Sequence, residues 1–283
     1  ALSQANPSID FETVTIKTTG DHDQWKTQMP LKVGVFVREL EAALLDNRID
    51  IAVHSLKDMP SSLATELAIA AVPEREDPRD ALVSRKGILL EDLPAGSRIA
   101  TGSIRRQALV KSMRPDLTVE PVRGNVETRL EKLRQTDGPD AVMLATAGLN
   151  RLGLQDQISQ HLSCMEFVSA VGQGALAVET RADDNFTTEL AGKIDHLETR
   201  QAITAERAFL QVIGGGCSSS VSAHAKITKQ QIEISAFAST PDASTVLRER
   251  VTGMASDAAN IGFNLGQSFV AQGVRQLLSE DPV

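Results

Sequence analysis

Ile99-Ala-Thr-Gly-Ser-Ile-Arg-Arg-Gln-Ala-Leu-Val-Lys-Ser-Met113 changes its period in the middle. Ile99-Ala-Thr reads as the end of a strand, Gly102-Ser103 as a turn, and Ile104–Met113 as a helix with apolar residues at helical spacing. The succession recurs downstream, with a strand at Leu117-Thr-Val-Glu-Pro-Val122, a turn at Arg123-Gly-Asn125, a helix over Val126–Gln135 and a strand at Ala141-Val-Met-Leu-Ala145. Upstream, Val37–Leu45 reads as a helix, and Ile51-Ala-Val-His54 and Leu67–Val72 as strands. Strands alternating with helices predict an α/β fold with mixed, largely parallel sheets. Pro73-Glu-Arg-Glu-Asp-Pro78, charged and bracketed by prolines, reads as a linker. After residue 197 the style changes. A helix over Thr199–Ile213 leads into the loop Gly214-Gly-Gly-Cys-Ser-Ser-Ser220, then three strands (Val221–Ile227, Gln231–Ser239, Thr245–Val251) and a closing helix over about Asp257–Leu278. That grouping predicts a small α+β domain.

The 283 residues allow two or three domains, and 41% hydrophobic with 23% charged residues excludes a disordered chain. A net charge of −8 argues against bulk nucleic-acid binding. Two cysteines, Cys164 and Cys217, provide no disulfide framework and suit a reducing compartment. No apolar run approaches ~18 residues and the first residues do not read as a leader, so a soluble, cytoplasmic protein with no membrane partner is expected. Charge is unevenly placed: residues 79–151 hold 13 Lys/Arg against 9 Asp/Glu. An acidic chain that concentrates arginine in this way suits a small anionic ligand, although solvated helix faces would give the same counts.

Candidate residues lie at strand–helix junctions. Arg105 and Arg106 fall in the first turn after Ser103, where backbone N–H groups attract anions and cations are unfavourable unless an anion sits there. Arg123, Gly124 and Arg129 repeat the arrangement at the next junction, and guanidinium groups grip carboxylates in a bidentate fork. His54-Ser-Leu-Lys-Asp58-Met-Pro60 follows a strand, the place where open α/β sheets carry their sites. Asp58 there is either a carboxylate that stabilises a cation and moves protons, or a turn-former ahead of Pro60. Cys217 follows three glycines, which tilts it towards reactivity, whereas Cys164 reads as a small hydrophobe. Five histidines without ligand spacing, and no CxxC, give no reason to expect a metal.

Phe36-Val-Arg-Glu-Leu-Glu41, His54–Pro60, Arg75-Glu-Asp-Pro-Arg-Asp80, Ser103-Ile-Arg-Arg-Gln107, Arg123–Leu130, Ala147-Gly-Leu-Asn-Arg-Leu152, Ala170-Val-Gly-Gln-Gly-Ala175 and Gly215-Gly-Cys217 resemble, in one order, the porphobilinogen deaminase (hydroxymethylbilane synthase) family. The resemblance implies two lobes like those of periplasmic binding proteins, with residues 1–73 and 175–192 in the first and 79–167 in the second, and a third domain over 197–283. It also implies an enzyme that joins four molecules of porphobilinogen head to tail, losing ammonia each time. The product is hydroxymethylbilane, on the route to haem and chlorophyll. The family's cysteine, bonded by a thioether to a dipyrromethane cofactor, maps onto Cys217 and its catalytic aspartate onto Asp58. Lys57, Ser103, Arg105, Arg106, Arg123 and Gly124 map onto cofactor-binding positions, and Arg129, Arg151 and Gln173 onto substrate-binding ones. A monomer is expected.

The chain departs from the family pattern in places. Gly34-Val35 stands where Gly-Gly-Lys-Gly-Leu is expected, and Ser218-Ser-Ser follows Cys217 in place of a run ending in Pro. Two other readings compete. A non-enzymatic two-lobed binding protein would share the arginine clusters but require neither Asp58 with Cys217 nor a third domain. A cysteine hydrolase would need a nucleophile motif, and none is recognisable.

Overall fold

The computed structural model describes residues 1–16, 37–214 and 219–279. Phe36, Gly34-Val35 and Cys217 lie outside the described residues.

Among the described residues, three sheets organise the chain. The first has the order β1 (Ala52–Ser55), β8 (Leu176–Arg181), β2 (Leu67–Ala71), with helices α2 (Arg38–Leu45) and α6 (Asn185–Gly192) against it and the single turn α1 (Leu2–Ala5) against α6. The second has the order β5 (Thr118–Glu120), β4 (Arg98–Ala100), β6 (Ala141–Ala145), β3 (Asp80–Ser84), β7 (Gln160–Leu162). Its helices α3 (Ile104–Met113) and α4 (Val126–Arg134) follow β4 and β5, and the short α5 (Thr146–Arg151) follows β6. The third has the order β11 (Val246–Met254), β10 (Gln231–Ser239), β9 (Val221–Thr228) and packs on α7 (Leu197–Ile213) and α8 (Ala258–Ala271).

The α/β class and the mixed sheets agree with the sequence reading. The parallel share is smaller than expected: among the described strands only β4/β5 and β4/β6 run parallel. These are the pairs built by strand–helix–strand crossovers, which parallel pairing needs. Elsewhere that constraint is lifted: β9, β10 and β11 follow one another directly as antiparallel neighbours, and β8 and β3 arrive from another sheet. β8 returns antiparallel to both β1 and β2, and β3 enters antiparallel to β6. The closing helix over 257–278 is two helices, because Gly273 takes φ +85° between α8 and α9 (Val274–Ser279).

The chain passes from the first sheet to the second through residues 72–79 and back through 163–175. The two passages lie side by side, with Glu76 N donating to Gly174 O at 3.1 Å and Arg75 Nε to Gln173 O at 2.8 Å. Gly172 and Gly174 take φ +74° and +85°. A Cβ on Gly172 would collide with Leu56 and press on the Lys57 backbone, and one on Gly174 would strike Glu76 O. Close passage of the chain, not a ligand, is what requires these two glycines.

Apolar clusters fill each region, and two of them cross between regions, with Phe237 of β10 buried among residues of the second sheet and Ile203 of α7 among those of the first. In the third, Phe209 and Phe269 meet edge to face with ring centroids 5.1 Å apart, a geometry worth about 0.5–1.5 kcal/mol beyond area burial. Among the described residues no helix is long and apolar enough to cross a membrane.

Candidate active site

β1 ends at Ser55 and the chain turns at once through the single 3-10 turn Leu56–Asp58. Leu56 and Met59 are buried, which leaves Lys57 and Asp58 to face the space between the sheets. Leu56 N donates to Ala175 O at 3.0 Å, tying the turn to the returning passage. A cleft of about 470 Å³ opens beside it, lined among others by Lys57, Asp58, Ser103, Arg105, Arg106, Arg129, Gln173 and Arg207. A second cavity of about 250 Å³ shares Lys57, Arg106 and Arg129 with it and adds Gly124 and Arg151. Together they present six cationic side chains and one carboxylate, among the described residues.

The two helix N-termini form as the spacing predicts. Ser103 Oγ accepts from Arg106 N at 3.4 Å at the start of α3, and Asn125 Oδ1 accepts from Thr128 N at 2.8 Å at the start of α4. The anion expected at the first turn of α3 is in the first place the protein's own. Asp80, fully buried at the head of β3, accepts from Arg105 Nη1 and Nη2 at 2.7 and 3.1 Å and from Arg106 Nε at 2.8 Å. Burial alone would raise the Asp80 pKa, but the two guanidinium groups and Gln173 hold it at about 2. One carboxylate thus balances one of two buried cations, and the second keeps its charge beside the cleft. Gln173, entirely buried, braces this cluster: its Nε2 donates to Pro78 O and Asp80, and its Oε1 accepts from Arg106 Nη2 at 3.4 Å.

Arg129 and Arg151 donate to backbone carbonyls, Gly124 O at 2.8 Å and Gly174 O at 3.2 Å. Burial, with the Arg106 charge nearby, brings the Arg129 pKa down to about 10, still fully cationic at neutral pH. Arg123 is exposed and lines neither cavity, and its carbonyl accepts from Lys132 Nζ at 3.2 Å.

Asp58 reaches the solvent of the cleft yet has protein on most sides, and that burial pushes its carboxyl pKa up. Lys57 and His54 pull the other way and lose. Lys57 favours the ionised form of Asp58, as a neighbouring positive charge must, and the low-dielectric walls set the net direction. Burial also pushes the Lys57 ammonium down, against the Asp58 charge. Behind the turn, His54 Nε2 lies 2.9 Å from Glu179 Oε2, both side chains buried.

Cys217 is outside the described residues, but Gly214 and Ser219, which flank that segment, both line the larger cavity. Cys164 is half-buried and burial pushes its thiol up to about 11, which makes it inert at neutral pH. Sequence reading missed Asp80 and Arg207. A lone acid opening the apolar run Ala81-Leu-Val83 was a signal for the first. Nothing local marks Arg207.

A profile described as porphobilinogen deaminase, dipyromethane cofactor binding domain, matches residues 1–189, and one described as porphobilinogen deaminase, C-terminal domain, matches residues 200–271. The chain is 41% identical over 278 residues to the porphobilinogen deaminase of Alkaliphilus metalliredigens, covering 98% of this chain and 88% of that one. With the same enzyme of Shouchella clausii the identity is 43% over 283 residues, covering 99% and 90%. With that of Carboxydothermus hydrogenoformans it is 41% over 281 residues, covering 99% and 90%.

Proposed function

The chain belongs to the porphobilinogen deaminase family, and from that premise we propose what its individual residues do. The enzyme is a transferase of tetrapyrrole biosynthesis. It condenses four porphobilinogen molecules head to tail with release of ammonia, gives hydroxymethylbilane, and primes on a covalent dipyrromethane cofactor.

The donor set suits that cofactor. Two pyrrole rings carry four carboxylates, and the joined cavities offer six cations with no acidic side chain other than Asp58 among the described lining. When bound, the dipyrromethane supplies a pyrrole α-carbon on which further rings are joined. Cys217 holds it through a thioether. Lys57, Arg105, Arg106 and the Ser103–Gly124 junctions hold its carboxylates, while Arg129 and Arg151, with Gln173 as a brace, bind those of incoming substrate. Arg123, which the resemblance maps onto a cofactor-binding position, lies outside the lining of both cavities.

Loss of ammonia from porphobilinogen leaves a cation. A carboxylate fixed at Asp58 stabilises that positive charge, and its raised pKa suits a group that also takes up and returns a proton at a pyrrole nitrogen or α-carbon. The arginine-rich walls bind the carboxylates but repel a cation, so Asp58 is the one described group in the lining that offers it a counter-charge. That contrast carries the assignment.

Residues 1–73 with 175–192, 79–167 and 197–283 are proposed as the three domains, in support of which each range holds the strands of one sheet. A cytoplasmic monomer is the proposed working state. A cysteine that must stay a free thiol until it is alkylated suits a reducing compartment.

Intact-mass measurement tests the cofactor assignment. Purified protein is expected to carry the mass of two linked pyrrole rings, Cys217→Ser to lose it and Cys164→Ser to keep it. Retention in the Cys217 variant removes the assignment.

A further inference from the structure

Two neighbouring charged residues on α7 reach in different directions. Glu206, entirely buried, accepts from Arg75 Nη1 at 2.6 Å, from Gly172 N at 2.8 Å and from Ala225 N at 2.8 Å. It therefore grips both passages between the first two sheets and the edge of the third. Arg207, the next residue, sends Nη2 to Pro60 O at 2.8 Å and to Ser61 O at 3.0 Å, and its side chain lines the larger cavity. Those carbonyls belong to the stretch that leaves the Asp58 turn, where the backbone is in neither helix nor strand. The turn is thus fixed at its start by Leu56 N on Ala175 O and at its end by Arg207, 147 residues further along the chain.

Two carbonyls on consecutive residues, directed at one guanidinium nitrogen, define a direction for the segment between Asp58 and Ser61. A planar group with both N–H bonds engaged holds that direction more tightly than an ammonium could. We infer that Arg207 is a positioning residue for the condensation: it sets where the Asp58 carboxylate points into the cleft, and it ties that setting to the helix that also anchors the two passages. Removing it leaves the cations of α3 and α4 in place but frees the exit of the turn. Misplacement of a reacting group by about 1 Å is enough to cost up to ~100-fold in rate.

The inference rests on the role of Asp58 proposed above, and the test separates the two. Holoenzyme is mixed with porphobilinogen, and the first ring addition is followed by mass spectrometry. Arg207→Gln is expected to keep the cofactor mass and half-saturation within about twofold, and to slow the addition by about tenfold or more. Arg207→Lys is expected to recover part of the rate. In an Asp58→Asn background, Arg207→Gln is expected to add no further loss, because two residues acting through one step are not additive. Full rate in Arg207→Gln, or the same fractional loss in both backgrounds, overturns the inference. Full rate in Asp58→Asn alone overturns the Asp58 role, whatever Arg207 does. If Arg207→Gln does not accumulate as folded holoenzyme, Arg207→Lys is read in the same two backgrounds with the same criteria.

Discussion

At Asp58 two influences oppose each other, and their balance has a measurable sign. Burial raises the carboxyl pKa, and Lys57 and His54 lower it by less. The reactive form is the carboxylate, so activity falls as pH drops through a value above the ordinary ~3.9 of aspartate. The acid limb of kcat/KM is therefore expected above pH ~4. Lys57→Met removes a charge that favours the anion and is expected to move the limb to higher pH in whatever holoenzyme forms. Asp58→Glu keeps the charge one methylene away and retains some activity, whereas Asp58→Asn loses the rate together with the limb. An unchanged acid limb in Asp58→Asn would assign the titration to another group. Motif resemblance made Asp58 and Lys57 legible in the sequence, but the sign of the shift was not. It depends on walls contributed by segments far away in the chain.

Among elements, β3 and α3 show what period can reveal and what it cannot. α3 runs over Ile104–Met113 as its spacing predicts, with a polar cap before it and Pro115 just beyond its end. β6 is buried along almost its whole length and reads as a continuous apolar run, as a central strand must. β3 and β8 were not read as strands, because each carries a charged residue that is entirely buried, Asp80 and Glu179. Their partners, Arg105 with Arg106 and His54, are remote in sequence, and spacing cannot see such contacts. The β3–α3 link carries a prediction. Asp80→Asn leaves two buried guanidinium groups without an anion and is expected to cost about 3–5 kcal/mol, read as a fall in Tm. Arg105→Leu leaves Asp80 paired with Arg106 and is expected to cost less. Asp80→Asn melting with the unaltered protein would show that the pair is not what holds β3 to α3.

For the molecule as a whole, Glu206 is the point where three regions meet, and a histidine stands beside it. His224 Nδ1 lies 3.6 Å from Glu206 Oε1. Burial first, then the charge of Arg75, pushes the imidazole from 6.5 down to about 4. Lys226 adds to that, while Glu206 and Asp77 oppose it. Unfolded chain takes up this proton near pH 6.5 and folded chain refuses it until about 4. Stability is then undiminished above pH 6.5 and declines as pH falls towards 4, by a total on the order of 3 kcal/mol. Urea midpoints measured across that window are expected to show the decline, and in His224→Gln a shallower one. Equal slopes in the two proteins would place the acid sensitivity elsewhere.

The cationic cleft sits in a molecule whose net charge is −8, so an anionic substrate travels through two fields of opposite sign and unequal reach. The repulsive field belongs to the whole surface and the attractive one to a few residues at close range. At 0.01 M ionic strength the Debye length of about 30 Å lets the first be felt before the second, and at 0.15 M a length of about 8 Å leaves little but the cleft. Modest salt is thus expected to speed capture of porphobilinogen, and only higher salt to slow it. A stopped-flow association rate with a maximum at intermediate ionic strength is the signature, and a monotonic fall from the lowest salt would mean that the cleft alone governs encounter.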